Sequence, residues 1–526
     1  MIIQPELETA QMKPKLSIVL LILTALLLFT YSCSVDKTKE QKKWVQFVNI
    51  SADDREVDII KKAAHLVPSD RQMEWQELEF TCFICLGVNT FTDREWGTGE
   101  EDPALFNPEQ LDTRQWCKVA KEAGMKLMLL TCKHHDGFCL WPSAYTDFTV
   151  AASPWKNGRG DVVKELAEAC KEFGLKLGIY LSPWDMNQSS YGTDAYNDFF
   201  VNQLTELLTN YGTVAEVWFD GANGEGPNGK TQVYDWERYY KTIRKLQPKA
   251  VIAIMGPDVR WVGTESGYGR ETEWSVVPIS AKEQEKIAEN SQQLAGSGTF
   301  IPAGDRMSDN LRSREKILKA GGLVWYPSEV DVSIRPGWYY HAREDSLVKS
   351  PEKLVDIYYS SLGRNSLLLL NLPPDKRGLI HENDIRSLRG MKAILDQTFN
   401  TNLLSDAKIT AGSIRDYPAK YIADADKTTW WTAKKNNDNT IEIDLKRPQT
   451  FDCLMLQENI RNGQRIESFS LNYLKNGAWI NLASGTTVGY KRLLRFNPVS
   501  AQKLQLVVQS ARDCPEITEM GLYYSK

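Results

Sequence analysis

Two of the chain's five histidines are adjacent, in Lys133-His134-His135-Asp136-Gly137-Phe138, directly behind the apolar run Leu127-Met128-Leu129-Leu130-Thr131-Cys132. Such a run reads as a buried strand, and parallel α/β proteins hold their ligands at the C-terminal ends of strands. Neighbouring side chains of an extended chain point opposite ways, so His134, His135 and Asp136 make a poor cage for one metal ion. Imidazoles placed there can grip hydroxyl groups. Asp220 follows Glu216-Val217-Trp218-Phe219 and precedes Gly221, which puts a carboxylate at another strand end. The alternative role for Asp220 is helix N-cap. Glycoside cleavage needs a second carboxyl group. By spacing alone Asp258, Glu265, Glu271 and Glu273 are all candidates. Further strand ends carry Glu95-Trp96 and Trp184-Asp185. Such rings and acids suit a sugar, whose C–H faces stack on rings and whose hydroxyls need polar partners.

These residues need a scaffold that brings strand ends together. Thr113–Ala123 has a helical apolar face and is stopped by Gly124; Lys126–Cys132 follows as a strand. Asp161–Phe173, Gly174 and Lys176–Leu181 repeat the unit, with glycine in the expected C-cap place. Eight strands are expected, at Phe80–Gly87, Lys126–Cys132, Lys176–Leu181, Glu216–Asp220, Ala250–Met255, Thr272–Val277, Val324–Ile334 and Ser366–Leu372. Eight strands alternating with helices imply an α/β fold, a (β/α)8 TIM-like barrel over residues 46–398. A doubly wound sheet is the alternative, and the lack of a Gly-rich phosphate loop after the first strand counts against it. Beyond Phe399 helical periodicity fades. Short alternating runs such as Thr440–Leu445 and Leu504–Val508 imply a C-terminal β-sandwich over 399–526.

The net charge of −5 excludes a polyanion-binding surface, so nucleic acid is not an expected partner. Lys13 and Lys15 precede an apolar stretch, Leu16–Phe29, that ends at Tyr31-Ser32-Cys33. This describes a signal peptide over residues 1–33, with Met12 as an alternative start, and a polar tether over 34–45. Cys33 resembles a lipoprotein acylation site, with plain secretion as the alternative. The expected location is the periplasm or cell surface, with any membrane contact made through that anchor. Export permits disulfides. Cys453 and Cys514 could pair, whereas the remaining cysteines read as buried thiols.

The chain resembles glycoside hydrolase family 29, the α-L-fucosidases, across about Pro68–Leu388. The pieces are Asn89–Gly97, Lys133–Phe138, Leu181–Asp185, Trp218–Gly221, Val332–Trp338, Gly363–Ser366 and Leu372–Asp375. The pattern is similar to the subfamily preferring α-1,3/1,4-linked fucose. The resemblance implies a retaining exo-glycosidase without a catalytic cofactor, Asp220 as nucleophile and Glu265 as general acid/base. It implies a fucose pocket drawn from Cys85, Glu95, Trp96, His134, His135, Trp184, Trp218 and Trp338, and a fucosylated oligosaccharide or glycoconjugate as substrate. This chain departs from the family at Cys85, where histidine is usual, at Met186 and Gln188, and at Thr264, where asparagine is usual. A glycosidase for a related sugar such as L-galactose, or a non-catalytic sugar-binding relative, are the alternatives. The C-terminal part resembles a discoidin-like (F5/8 type C) domain, through Ala423–Trp431, Asn476–Trp479 and Gly485–Gly489. That resemblance implies a structural Ca²⁺ at Asp424, Asp426 and Glu519.

Overall fold

The computed structural model describes residues 46–291, 314–434 and 439–525. The signal segment, the tether and Cys33 lie outside the described residues. Among the described residues no helix is long and apolar enough to cross a membrane.

Eight parallel strands form a nearly closed TIM-like barrel. In chain order they are β1 (Phe80–Ile84), β2 (Leu127–Lys133), β3 (Lys176–Leu181), β4 (Val214–Phe219), β5 (Val251–Ile254), β6 (Arg260–Trp261), β7 (Ser328–Ser333) and β8 (Ser366–Asn371). β1 to β5 pair in parallel in sequence order, β6 pairs with β7 and β7 with β8, and β8 returns to β1; between β5 and β6 there is only the bridge Ala253–Val259, where Ile254 N–H donates to Val259 O (3.1 Å). Strand alternation sorts the side chains. Leu127 and Leu129 face the barrel interior beside Phe83, Tyr180 and Trp218, while Met128 and Leu130 face the helices. The repeated helix–strand units form as their punctuation dictates. Asp112 caps Thr113–Ala123 by accepting from the N–H groups of Arg114 and Gln115, and Gly124 ends it at φ +93°. Asp161 and Gly174 do the same for Val162–Phe173.

Two expected strands are corrected. Thr272–Val277 is not a barrel strand: Val276–Pro278 pairs antiparallel with Gly322–Trp325, which also pairs with Phe47–Asn49, in a separate three-stranded sheet. The sixth barrel strand is instead the two-residue Arg260–Trp261. No helix separates it from β5; Ile254 adopts φ +66° and the chain turns straight back, a conformation a β-branched residue takes only where surroundings hold it. Val324–Ile334 is not one strand either. Its first part belongs to the small sheet and its second is β7, with Pro327 at the break.

Residues beyond Phe399 build an antiparallel β-sandwich around Trp431, Ile443, Phe451, Phe469 and Leu506. All eight described cysteines are free thiols, so Cys453 and Cys514 do not pair; Cys453 meets the Tyr359 hydroxyl instead (3.3 Å).

The barrel interior holds carboxyl groups that no cation among the described residues neutralises. Glu216 on β4 and Glu329 on β7 are fully buried, and Asp331 lies two residues further along β7. Trp218 Nε1–H donates to Glu329 (2.8 Å) and Trp261 Nε1–H to Asp331 (2.7 Å). Both oxygens of Glu216 and the second oxygen of Glu329 find no hydrogen-bond donor among the described residues. Burial pushes Glu216 up to about 7; burial and then repulsion from Glu216 raise Glu329 well above the carboxylate range. A proton held on this pair satisfies both acids. Acids with raised folded pKa values contribute stability that is complete below their unfolded pKa and declines as pH rises toward the folded one. The melting temperature is therefore expected to fall between pH ~5 and ~8. Glu216→Gln, which carries its own N–H donors, should flatten that fall and melt higher than the parent at the alkaline end. Identical pH dependence of the two proteins in scanning calorimetry would refute it.

Candidate active site

Asp220 sits one residue past β4, at the C-terminal mouth of the barrel, with its side chain 22% exposed. No described helix starts there, so it is not a helix cap; the next helix begins at Trp236. Its two oxygens are held separately. Ala222 N–H donates to Oδ1 (2.7 Å) and the Tyr180 hydroxyl to Oδ2 (3.0 Å). Burial raises its pKa, and these bonds, with His134 nearby, pull it back. The result is a fixed, reachable carboxylate.

The histidine pair divides its work. His135 Nδ1 lies 2.8 Å from Ser182 Oγ, and the Ser182 hydroxyl donates to Trp184 O (2.7 Å). A serine has one proton to give, so Nδ1 of His135 carries the hydrogen and Nε2 is left as an acceptor. That Nε2 is 3.8 Å from Asp220 Oδ2. Burial lowers the His135 pKa to about 3 and drives that of His134 well below normal, so both rings are neutral. Two acceptors this close leave a place for one donor between them. Removing the hydroxyl in Ser182→Ala frees His135 to take the other tautomer. A rise in KM with kcat/KM down about 10-fold is expected, the size of one buried hydrogen bond left unmade; unchanged steady-state kinetics would rule the tautomer lock out.

The rings behind these groups are structural backing. Trp184 is buried, stacks near His135 (centroids 4.9 Å) and Trp96 (5.4 Å), and donates to Glu225 O. Trp218 is buried in the barrel, against Tyr180 (5.1 Å). Trp218 Nε1–H donates to Glu329 (2.8 Å), so the indole N–H groups of both Trp184 and Trp218 are spent on protein acceptors. Trp96 and Trp338 are part-exposed and border the mouth. Cys85 is buried, its thiol 3.4 Å from Thr131 Oγ1 and its pKa driven up by burial. A neutral thiol gives this wall little hydrogen-bonding power.

Glu95 ties the mouth together. Its Oε2 accepts from Trp338 N–H (2.8 Å), and its Oε1 lies 2.6 Å from Nε2 of buried His341. Nδ1 of His341 meets Asp93 (2.5 Å), whose pKa this bond lowers. An added Cβ on Gly337 would stand 2.4 Å from Glu95 Oε1, so only glycine lets the two loops close.

Glu265 lies in the loop after β6, exposed, and accepts from Trp338 Nε1–H (3.2 Å). The other three acids with suitable spacing are already committed. Asp258 is buried between Arg71 and Arg244 and accepts from Ile252 N–H. Glu273 is buried with Arg260 and Arg270, and Glu271 pairs with Arg364 and Arg492. Asp185 is likewise consumed, by buried Lys133 (2.8 Å) and by the N–H groups of Asn187 and Gln188. Asp220 meets the Tyr180 hydroxyl and Ala222 N–H, and Glu265 the Trp338 indole, rather than the arginines and lysine that take these four acids.

The His134, His135 and Asp136 run forms no metal site. Asp136 turns back to Asn89 Nδ2–H (2.9 Å) and Phe138 N–H, and among the described residues no three His, Cys, Asp or Glu side chains gather to hold an ion. Asp424, Asp426 and Glu519 do not gather as a trio of ligands among the described residues either. Asp426 is drawn to Thr428, and Asp424 to Thr429, while Glu519 is buried with Oε2 unpartnered. Tyr180 and His341 did not stand out in the sequence, and Ser182 did so only as part of the Leu181–Asp185 strand end. Tyr180 and Ser182 lie two residues apart in and just after β3, and that alternation was the available signal.

Residues 33–398 match the family model described as alpha-L-fucosidase, and residues 408–520 the F5/8 type C domain. Alpha-L-fucosidase 1 of Arabidopsis thaliana is 44% identical over 471 residues, 88% of this chain and 88% of that protein. A putative α-L-fucosidase of Bacteroides ovatus has a crystal structure 49% identical, with TM-score 0.79, covering 92% of this chain and 78% of that one. A Ruminococcus gnavus GH29 fucosidase solved in complex with fucose is 30% identical, with TM-score 0.74, covering 88% of this chain and 95% of that one. On its barrel, its two domains and these likenesses, the chain belongs to the α-L-fucosidase family, glycoside hydrolase family 29, and is a hydrolase of that family with a C-terminal F5/8 type C domain.

Proposed function

We propose that this protein is an exported, retaining exo-α-L-fucosidase that removes α-1,3/1,4-linked fucose from branched oligosaccharides. The observation that carries the reading is Asp220, held by Tyr180 and Ala222 beside the bare Nε2 of His135. In the first step an Asp220 oxygen attacks the anomeric carbon as the glycosidic C–O bond breaks, and the Glu265 carboxyl gives its proton to the leaving oxygen. The products are a glycosyl ester on Asp220 and the shortened oligosaccharide. In the second step Glu265, now ionised, takes a proton from water, whose oxygen displaces Asp220. Two inversions give net retention. A sugar hydroxyl donates to His135 Nε2, and Trp96 and Trp338 border the ring. No step calls on a cofactor. Fixed carboxylates argue against a non-catalytic relative. The test is a proton NMR time course with a 1,3/1,4-fucosylated oligosaccharide: α-L-fucose should appear first and then mutarotate. Early β-fucose, or no fucose from any fucosylated glycan, overturns the reading.

The thiol at Cys85, already turned to Thr131, favours testing L-galactosides beside fucosides, since the wall there lacks an imidazole. Anchoring at Cys33 is tested by palmitate labelling, which Cys33→Ala would abolish. In the sandwich, burial and then the nearby Asp424 push Glu519 up to about 7. A Ca²⁺ held by Asp424, Glu519 and neighbouring carbonyls would relieve that repulsion. Calcium should then raise Tm by about 4 °C, and a Tm indifferent to calcium and chelator would dismiss the site.

A further inference from the structure

The loop that carries Glu265 belongs to the barrel, but its far half is held jointly by the barrel and the other domain. Between Glu271 and Ser275 the backbone has no strand partner on the barrel. Side chains of the sandwich take several of its polar groups, beside Asn365 Nδ2–H on Glu273 O (3.1 Å) and Tyr326 N–H on Ser275 O (2.7 Å). Glu271 O accepts from Arg492 Nη1–H (2.6 Å) and from the Thr486 hydroxyl (3.0 Å). Glu273 N–H donates to Thr487 Oγ1 (3.0 Å), and Glu273 O accepts from Gln464 Nε2–H (3.0 Å). Ser275 N–H donates to Gln464 Oε1 (2.8 Å). Gln464, Thr487 and Arg492 are at most 1% exposed, so water does not replace them. Buried backbone groups need partners, and here one domain supplies them to the other. The Glu271 carboxylate closes the same contact on Arg492, a buried cation that would be costly to leave unpaired.

The sandwich loop that brings these groups is itself seated firmly. Asn365, at the start of β8, accepts from Tyr490 N–H (2.7 Å), and its own N–H donates to Lys491 O (3.0 Å). Gly489 has φ +62°, and a Cβ there would stand 2.2 Å from the Asn365 side chain. The near half of the acid/base loop is fixed by the barrel, through Val262 N–H to Glu329 O (2.9 Å) and Gly269 N–H to Ser360 O (2.7 Å).

We propose that the C-terminal sandwich positions the acid/base of the barrel, with Thr487, Gln464 and Arg492 as positioning residues for Glu265. The inference rests on the reading of Glu265 as the proton donor. It gives the second domain a part in catalysis that requires no sugar binding of its own. Errors of placement in a general acid weaken protonation of a poor leaving group and matter little to a good one.

The test uses the full-length enzyme and compares kcat/KM on a fucosylated oligosaccharide with that on 2,4-dinitrophenyl α-L-fucoside, whose leaving group needs no proton. Thr487→Val and, independently, Arg492→Lys are expected to lose about 10-fold on the oligosaccharide and less than about twofold on the dinitrophenyl fucoside. Thr487→Ser, which keeps the hydroxyl, should match the parent on both. Equal losses on the two substrates, no loss on either, or failure of both variants to fold would overturn the proposal, since the contacts would then serve stability alone. Glu265→Gln run alongside separates the two readings. If that variant does not itself split the substrates, the assignment of Glu265 falls, whatever the sandwich variants do.

Discussion

Asp220→Gly is expected to cut kcat/KM by about 10⁴-fold or more, because no other group can form the glycosyl ester. The variant should fold. Asp220 is part-exposed at the mouth, and the change leaves only the Tyr180 hydroxyl and Ala222 N–H to find water. With an activated aryl fucoside, azide can occupy the vacated space and attack the same face, giving β-fucosyl azide. Its appearance by NMR would identify the lost group as the nucleophile. Retention of more than a few per cent of parent turnover would remove Asp220 from that role.

Glu265→Gln should lower kcat/KM on oligosaccharides by about 10²–10⁴-fold, the range a positioned general acid contributes. On the dinitrophenyl fucoside kcat/KM should hardly change, while kcat falls because the ester is no longer cleaved by activated water. Azide, needing no deprotonation, should restore that second half and yield α-fucosyl azide. The alkaline limb of the kcat/KM profile on oligosaccharides should vanish with the carboxyl. A pH profile unchanged in this variant would send the search elsewhere. Asp258, Glu271 and Glu273 are poor substitutes, each bound to two arginines.

The two carboxylates were unequally legible. Asp220 ends a readable strand and meets glycine straight after, so its place at the mouth followed from local pattern. Glu265 shared a loop with three acids of equally good spacing. What separates them is pairing with Arg71, Arg244, Arg260, Arg270, Arg364 and Arg492, side chains brought in from different elements. The rings show the same limit. Trp184 and Trp218 read as sugar walls because they lie at or next to strand ends, yet both are buried with their N–H groups satisfied.

By itself the sequence determined the repeating helix–strand units, the change of texture beyond Phe399 and the strand end that bears His134 and His135, because apolar period, caps and glycine stops are properties of neighbouring residues. Only the tertiary structure decided the two-residue sixth strand, the tautomer of His135, which acids of the loop are taken by arginines and the clamp of the sandwich on the acid/base loop. Each of these depends on partners far away in the chain, such as Glu273 with Thr487 or Asp258 with Arg71, and no local pattern records which distant groups will meet.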